Sequence, residues 1–141
     1  TSIGVDRMFL AVLSHSYKVE QLENGETRVV LGIPAPLAPV KVAVLPLINK
    51  DGLPEKAQEV MNDLKYDFNC QYDPKDSIGK RYRRQDAIGT PFCVTVDHDS
   101  LNDNCVTIRE RDTMEQKRVP IAELRTIIDK EVNMNNLLRK L

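Results

Sequence analysis

From Val40 onward, apolar positions alternate between a spacing of about two residues and one of about 3.6, the signatures of strand and helix. Val40 to Ile48 is almost unbroken in apolar residues and reads as a buried strand, turned by Asn49 to Gly52. Leu53, Ala57, Val60, Met61, Leu64 and Phe68 then follow with helical spacing to about Asp67, with Pro54 at a position that welcomes the first turn of a helix. Asn69 to Tyr72 reads as a short second strand and Asp73 to Asp76 as a loop. Ser77 is a plausible N-cap for a helix running to about Ala87, where Gly89-Thr90-Pro91 stops it. Phe92 to Val96 is a third, strongly apolar strand. Strand, helix, strand, helix, strand in this order predicts parallel pairing through right-handed crossovers. After a polar loop from Asp97 to Asn104, Cys105 to Arg111 alternates, with Val106 and Ile108 on one face and Thr107, Arg109 and Arg111 on the other. Asp112 to Glu115 turns the chain, Gln116 to Val119 returns as a partner strand, and Ile121, Leu124, Ile127, Ile128 and Val132 draw the stripe of a last helix. The predicted class is α/β, a mixed sheet of about five strands flanked by three main helices.

The first forty residues read differently. Met8 to Leu13 is apolar throughout and rich in good helix formers, so it predicts a helix that wants a larger body to bury it. Glu20 to Glu26 is polar with a turn at Asn24-Gly25, and Arg28 to Leu31 is a short extended piece. Pro34, Pro36 and Pro39 make a stiff connector. The predicted division is therefore 1–16, a linker over 17–39, and a domain over 40–141. Position 1 is not a methionine, and the simplest reading is a fragment of a longer protein.

Composition narrows the chemistry. Of 141 residues, 41% are hydrophobic and 29% charged, which suits a globular chain, and the absence of Trp implies an aliphatic core. A net charge of −1 gives no bulk nucleic-acid signal, so any such binding must come from local clustering. Cys70, Cys93 and Cys105 are odd in number and far apart, against a disulfide framework or CxxC metal site and in keeping with a reducing cytoplasm. No apolar run approaches the roughly 20 residues of a membrane span, and no signal peptide is visible. Asp97-His98-Asp99 resembles the start of a calcium loop, but Leu101 and Ile108 occupy later ligand positions. His15 and His98 stand alone.

Three clusters could carry function. Ser2-Ile3-Gly4-Val5-Asp6-Arg7 puts a glycine and an arginine at the start of a helix, able to hold an anion, although an ordinary helix start with an Asp–Arg pair is the simpler reading. Lys80-Arg81-Tyr82-Arg83-Arg84 concentrates positive charge on a helix, suited either to solvent or to a phosphate backbone. Thr107, Arg109 and Arg111, followed by Asp112, Thr113, Met114, Glu115 and Gln116, set guanidinium and carboxylate groups together. Those are the groups that read an unstacked base on its edge; a charged strand face with cross-strand pairs to Lys117 and Arg118 is the plainer alternative.

These strings resemble glycyl-tRNA synthetases. Gly4-Val5-Asp6-Arg7 is similar to motif 3 of class II aminoacyl-tRNA synthetases. Leu37 to Leu47, Ser77 to Gly89 and Val106 to Gln116 resemble the family's C-terminal domain, in its order and spacing. The resemblance implies a three-layer α/β/α anticodon-binding domain after the end of a catalytic domain. It implies that, in the full-length parent, Gly4, Val5, Asp6 and Arg7 line the ATP site, Arg7 holding the γ-phosphate, and that Ser2 and Gly4 line the glycine pocket. It implies anticodon contacts from Arg109, Glu110, Arg111, Asp112, Thr113, Met114 and Gln116, and tRNA-backbone contacts from Lys80, Arg81, Arg83 and Arg84. The expected partner is tRNA(Gly), not DNA or membrane, in the cytoplasm. The parent is expected to be a homodimer using ATP and Mg2+, with no metal site in this segment; this segment alone should bind neither cofactor and be inactive. A second reading is a non-catalytic nucleic-acid-binding accessory subunit on the same fold. A flavodoxin-like module is disfavoured because Asn49-Lys50-Asp51-Gly52 is no phosphate cradle. Arg109→Ala is expected to weaken tRNA binding while barely altering folding.

Overall fold

A computed structural model of the chain describes residues 2–141. Its centre is a five-stranded sheet made of β3 (Val42–Pro46), β4 (Cys70–Tyr72), β5 (Phe92–Val96), β6 (Cys105–Glu110) and β7 (Gln116–Pro120), after a separate hairpin of β1 (Tyr17–Gln21) and β2 (Thr27–Leu31). The order across the sheet is β4-β3-β5-β6-β7; the first three strands are parallel, and β6 and β7 are added antiparallel. The helices are α1 (Val5–Ser16), α2 (Leu53–Leu64), α3 (Ile78–Ile88), a single turn α4 (Ser100–Asp103), α5 (Leu124–Val132) and α6 (Met134–Leu138). The expected mixed sheet and parallel first half are both present. No helix among the described residues is long and apolar enough to cross a membrane.

The two faces of the sheet are built from different side chains. One face carries Val42, Val44, Phe92, Val94, Val96, Val106 and Ile108. It is covered by Leu53, Ala57, Val60 and Leu64 of α2 and by Leu124, Ile128 and Val132 of α5. The other face carries the smaller Ala43 and Cys93 with Leu45, and α3 lies over them through Ile78 and Tyr82. Helix α3 roofs the β3–β5 half of this face, and its Tyr82 and Asp86 reach as far as Arg109 on β6. Beyond it, alternation along β6 and β7 puts Thr107, Arg109, Gln116 and Arg118 on the same side, in the pairs Thr107↔Arg118 and Arg109↔Gln116. That half, only partly roofed, positions the site.

Local boundaries follow the signals with small shifts. Helix α2 stops at Leu64 rather than Asp67, because the amides of Asp67 and Phe68 both turn back to the Leu64 carbonyl. The polar loop after β5 contains α4, whose Ser100 is tied by backbone and hydroxyl to Asp97. Ser77 takes the N-cap place of α3 but makes no side-chain capping bond.

The segment 17–39 is more than a linker. Its hairpin forms with Gly25 at φ +81°, at the turn predicted from Asn24-Gly25. It then docks on α3 through Arg28 and Val30, both buried. The approach is close: a Cβ on Gly89, which ends α3 at φ +86°, would lie 3.0 Å from the Leu31 carbonyl oxygen and 3.2 Å from Ile33. Only glycine meets both demands. The proline-rich stretch that follows is pinned by Lys41, whose ammonium donates to the carbonyls of Ala35 and Pro36 at 3.2 and 2.7 Å. Periodicity could not find this docking, since only two residues of a five-residue strand face inward.

Helix α1 presents Val5, Met8, Phe9 and Leu10 as exposed apolar side chains, in keeping with a helix built to be covered.

Candidate nucleic-acid interface

Between α3 and the open half of the sheet runs a groove of about 370 Å³, lined by Glu26, Gly79, Lys80, Tyr82, Arg83, Arg109, Met114 and Gln116. Three elements converge on it. Helix α3 supplies Lys80 and Arg83, neither of which has an acidic partner among the described residues. The β6–β7 hairpin supplies Arg109, Gln116 and Met114, the last held at φ +59°, an uncommon conformation for a side chain of this size. The tip of the β1–β2 hairpin supplies the carboxylate of Glu26. With Arg109 paired to Asp86, Lys80 and Arg83 still outnumber that one carboxylate, so the groove is locally positive in a chain whose net charge is −1.

Arg109 forms part of the floor. Its guanidinium carbon lies 4.7 Å from the centre of the Tyr82 ring, and the Tyr82 hydroxyl is 2.7 Å from the hydroxyl of Thr95. Burial of the Tyr82 phenol pushes its pKa up, so it stays neutral. Two nitrogens of Arg109 donate to the two oxygens of Asp86 at 2.8 and 3.1 Å. Arg109 is 3% exposed and Asp86 is fully buried. A fixed, desolvated guanidinium with a flat face against an aromatic ring, beside an amide and a carboxylate, suits planar heteroaromatic ligands. Lys80 and Arg83 on the rim suit the phosphates that accompany such bases.

Other predicted site residues lie elsewhere. Arg81, expected on the tRNA backbone, is buried, because the helical turn directs it beneath α3. There it donates to the carbonyls of Pro46 and Leu47 at the end of β3 and of Asp73 just after β4. Arg84 is held by Asp73 at 3.0 Å and Asp76 at 2.6 Å and fastens the loop before α3. Arg111, expected to meet the anticodon, is also buried; it donates to the carbonyls of Gly89 and Ile33, each at 2.8 Å, and pairs with Asp112. Glu110 projects to the opposite face, toward Phe92, Ile108 and Ile127, and accepts a bond from the Thr113 hydroxyl at 2.8 Å. Of the seven residues expected at the anticodon, the structure gathers Arg109, Met114 and Gln116 in one groove. Four others, Glu110, Arg111, Asp112 and Thr113, form the turn that holds Met114. Of the four basic residues, Lys80 and Arg83 reach the groove. Arg109→Ala is no longer expected to be silent in folding, because it would remove the bidentate partner of a buried carboxylate.

Glu26 was not singled out by sequence, and Tyr82 entered only as part of the basic run on α3. Glu26 sits in a polar turn assigned to a linker, and only the docking of that hairpin brings it to α3. At the far end of the chain, Ser2, Gly4 and Arg7 are all exposed, with Gly4 preceding α1 and the Met8 amide bonding back to the Gly4 carbonyl at 3.1 Å. They offer one guanidinium and a helix start without enclosing walls.

Comparison with known proteins identifies the groove's setting. A family described as "Anticodon binding domain" matches residues 41–131, from just before β3 into α5. The chain belongs to this family. It is 51% identical over 132 residues to a glycine–tRNA ligase of Borrelia hermsii, covering 94% of this chain and 30% of that protein. Its identity to a glycine–tRNA ligase of Clostridium perfringens is 54% over 135 residues, 93% of this chain and 28% of that protein. The chain thus spans less than a third of the length of these relatives. Among solved structures, prolyl-tRNA synthetase from Cryptosporidium parvum shares the fold with a TM-score of 0.66 at 23% identity, over 78% of this chain and 25% of that one. The anticodon-binding domain accounts for the sheet, α2, α3 and α5, while α1 and the β1–β2 hairpin lie outside the family match.

Proposed function

We propose that this chain is the anticodon-binding segment of a glycyl-tRNA synthetase, and that unstacked anticodon bases of tRNA(Gly) enter the groove between α3 and the β6–β7 hairpin. The observation that carries this reading is the convergence of Arg109, Gln116 and Glu26 beneath Lys80 and Arg83, cations with no acidic partner among the described residues, in a family of anticodon binders. Cytosine offers an amino donor and ring acceptors; Glu26 would take the first, and the N–H groups of Arg109 and Gln116 would answer the second. Met114 and Tyr82 supply the apolar walls against which a base can rest. Arg118 sits on the same open face but is engaged by Asp97 and Asp103 at 2.9 and 2.8 Å, so it contributes shape more than charge.

The whole enzyme, a homodimer in the cytoplasm, would activate glycine with ATP and Mg2+ and pass it to the tRNA. Arg7 would be its contribution from this segment to the nucleotide site and Ser2 and Gly4 its contribution to the glycine pocket. Strong similarity to glycine–tRNA ligases over nearly the whole chain supports this reading.

Equilibrium binding of the 141-residue chain to tRNAs with altered anticodons tests it. Replacing the cytosine at the second or third anticodon position should weaken binding about tenfold or more, the range of one lost base contact. Equal affinity for all anticodons would refute base recognition in the groove.

A further inference from the structure

The buried carboxylate of Asp86 has two partners on different parts of the molecule. It accepts from Arg109, in the groove floor, through both oxygens, and one of those oxygens, Oδ2, also accepts from Nη1 of Arg28 at 3.2 Å. Arg28 belongs to β2 and does not line the groove. It is 1% exposed and fully engaged: Nε and Nη2 donate to Glu20 of β1 at 3.1 and 2.6 Å, and Nη1 donates also to the carbonyl of Arg111 at 2.8 Å. Arg111 in turn grips the carbonyls of Gly89 and Ile33. One buried network therefore ties the hairpin, the C-terminal end of α3 and the β6–β7 turn to the groove arginine.

We propose that Asp86 is a positioning residue whose single carboxylate couples base recognition by Arg109 to the docking of the β1–β2 hairpin through Arg28. The inference rests on the groove being the base site proposed above. Two guanidinium groups share one acceptor, and each has lost its water, so neither can shift without changing the hydrogen bond of the other. A base that draws Arg109 into a new position alters Oδ2 and with it the hold on Arg28. By reciprocity, a hairpin whose arginine is altered changes the affinity of the groove for the base that Arg109 reads. The partner class is a pyrimidine-bearing RNA loop, and the responding element is the hairpin that leads directly from α1.

The test uses Arg28→Lys, which keeps a cation at the buried site but cannot serve Glu20, Asp86 and the Arg111 carbonyl together. Two synthetic anticodon stem–loops serve as probes, one with cytosine and one with uracil at the second and third anticodon positions. In the variant, preference for the cytosine loop should fall about fivefold or more, with affinity for the uracil loop unchanged. Preference equal to that of the unaltered chain, or equal weakening toward both loops, would overturn the proposal. Hydrogen exchange on the unaltered chain provides a second readout that does not depend on the variant folding. At saturation, the cytosine loop should change exchange at Val29 to Leu31 more than the uracil loop does. Identical exchange with both loops would overturn the coupling. An unaltered chain that binds neither loop would overturn the base-site reading and this inference with it, whereas a cytosine preference left untouched by Arg28→Lys would overturn the coupling alone.

Discussion

Asp86→Ala is expected to destabilise the fold by about 3–5 kcal/mol, the usual consequence of removing one partner from a buried ionic cluster. Arg28 and Arg109 would both lose their shared acceptor. Arg109 would keep only the ring of Tyr82, while Arg28 would keep Glu20, which is itself 40% exposed, and the Arg111 carbonyl. Two desolvated guanidinium groups would then face each other in the core, so both the lost bonds and the repulsion act in the same direction. In thermal unfolding the midpoint should drop by on the order of 10 °C. Asp112→Ala is the informative comparison. Its carboxylate also pairs with a buried arginine but is 65% exposed, so water replaces it readily and the expected loss is below about 1 kcal/mol. Equal stability of Asp86→Ala and the unaltered chain would show that the network does not hold the hairpin to α3.

The joint substitution Lys80→Ala with Arg83→Ala is expected to lower affinity for every tRNA, cognate or not, at low salt. Both side chains lie on the groove rim without acidic partners among the described residues, so phosphates would be their natural counterions. Removing two phosphate contacts should reduce the steepness of the salt dependence by about 1.4–1.8 in the log–log slope. Neither residue is buried, so stability should change little. Preference among anticodons should persist, because base-edge contacts are untouched. Loss of that preference with an unchanged salt slope would move these residues from the phosphates to the bases.

Elements buried on both faces were the most legible in the sequence. Phe92 to Val96 was placed residue for residue, because five buried positions in a row admit no competing period and Gly89-Thr90-Pro91 marks the entry. Alternation read over Cys105 to Arg111 gave the shared face of Thr107 and Arg109, although the strand itself ends at Glu110. What alternation could not tell was depth. Charged side chains are read as exposed by default, yet Arg28, Arg81, Arg109 and Arg111 are all buried. Their partners are distant in sequence: Arg28 meets a carboxylate 58 residues away and Arg111 a carbonyl 78 residues away. The basic run of α3 shows the same limit within five residues. Lys80 and Arg83 face the groove, while Arg81 turns under the helix to the free carbonyls at the end of β3, a destination visible only once β3 and α3 are packed. Glu26 was missed for a related reason, since the hairpin that carries it gains its place from Arg28 and Gly89, not from its own pattern. The family resemblance pointed to strings that meet at the groove but could not tell which of their side chains line it and which are buried beneath it.

Photo-crosslinking tests the entry of anticodon bases into the groove most directly. An anticodon stem–loop bearing a zero-length photoreactive base at the second anticodon position would be irradiated on the 141-residue chain, and the attachment site mapped by mass spectrometry. Attachment to Tyr82, Met114 or Gln116 is the predicted result. Attachment instead to Ile127 or Lys130 on the opposite face of the sheet, or to the exposed Tyr17 of the hairpin, would contradict it.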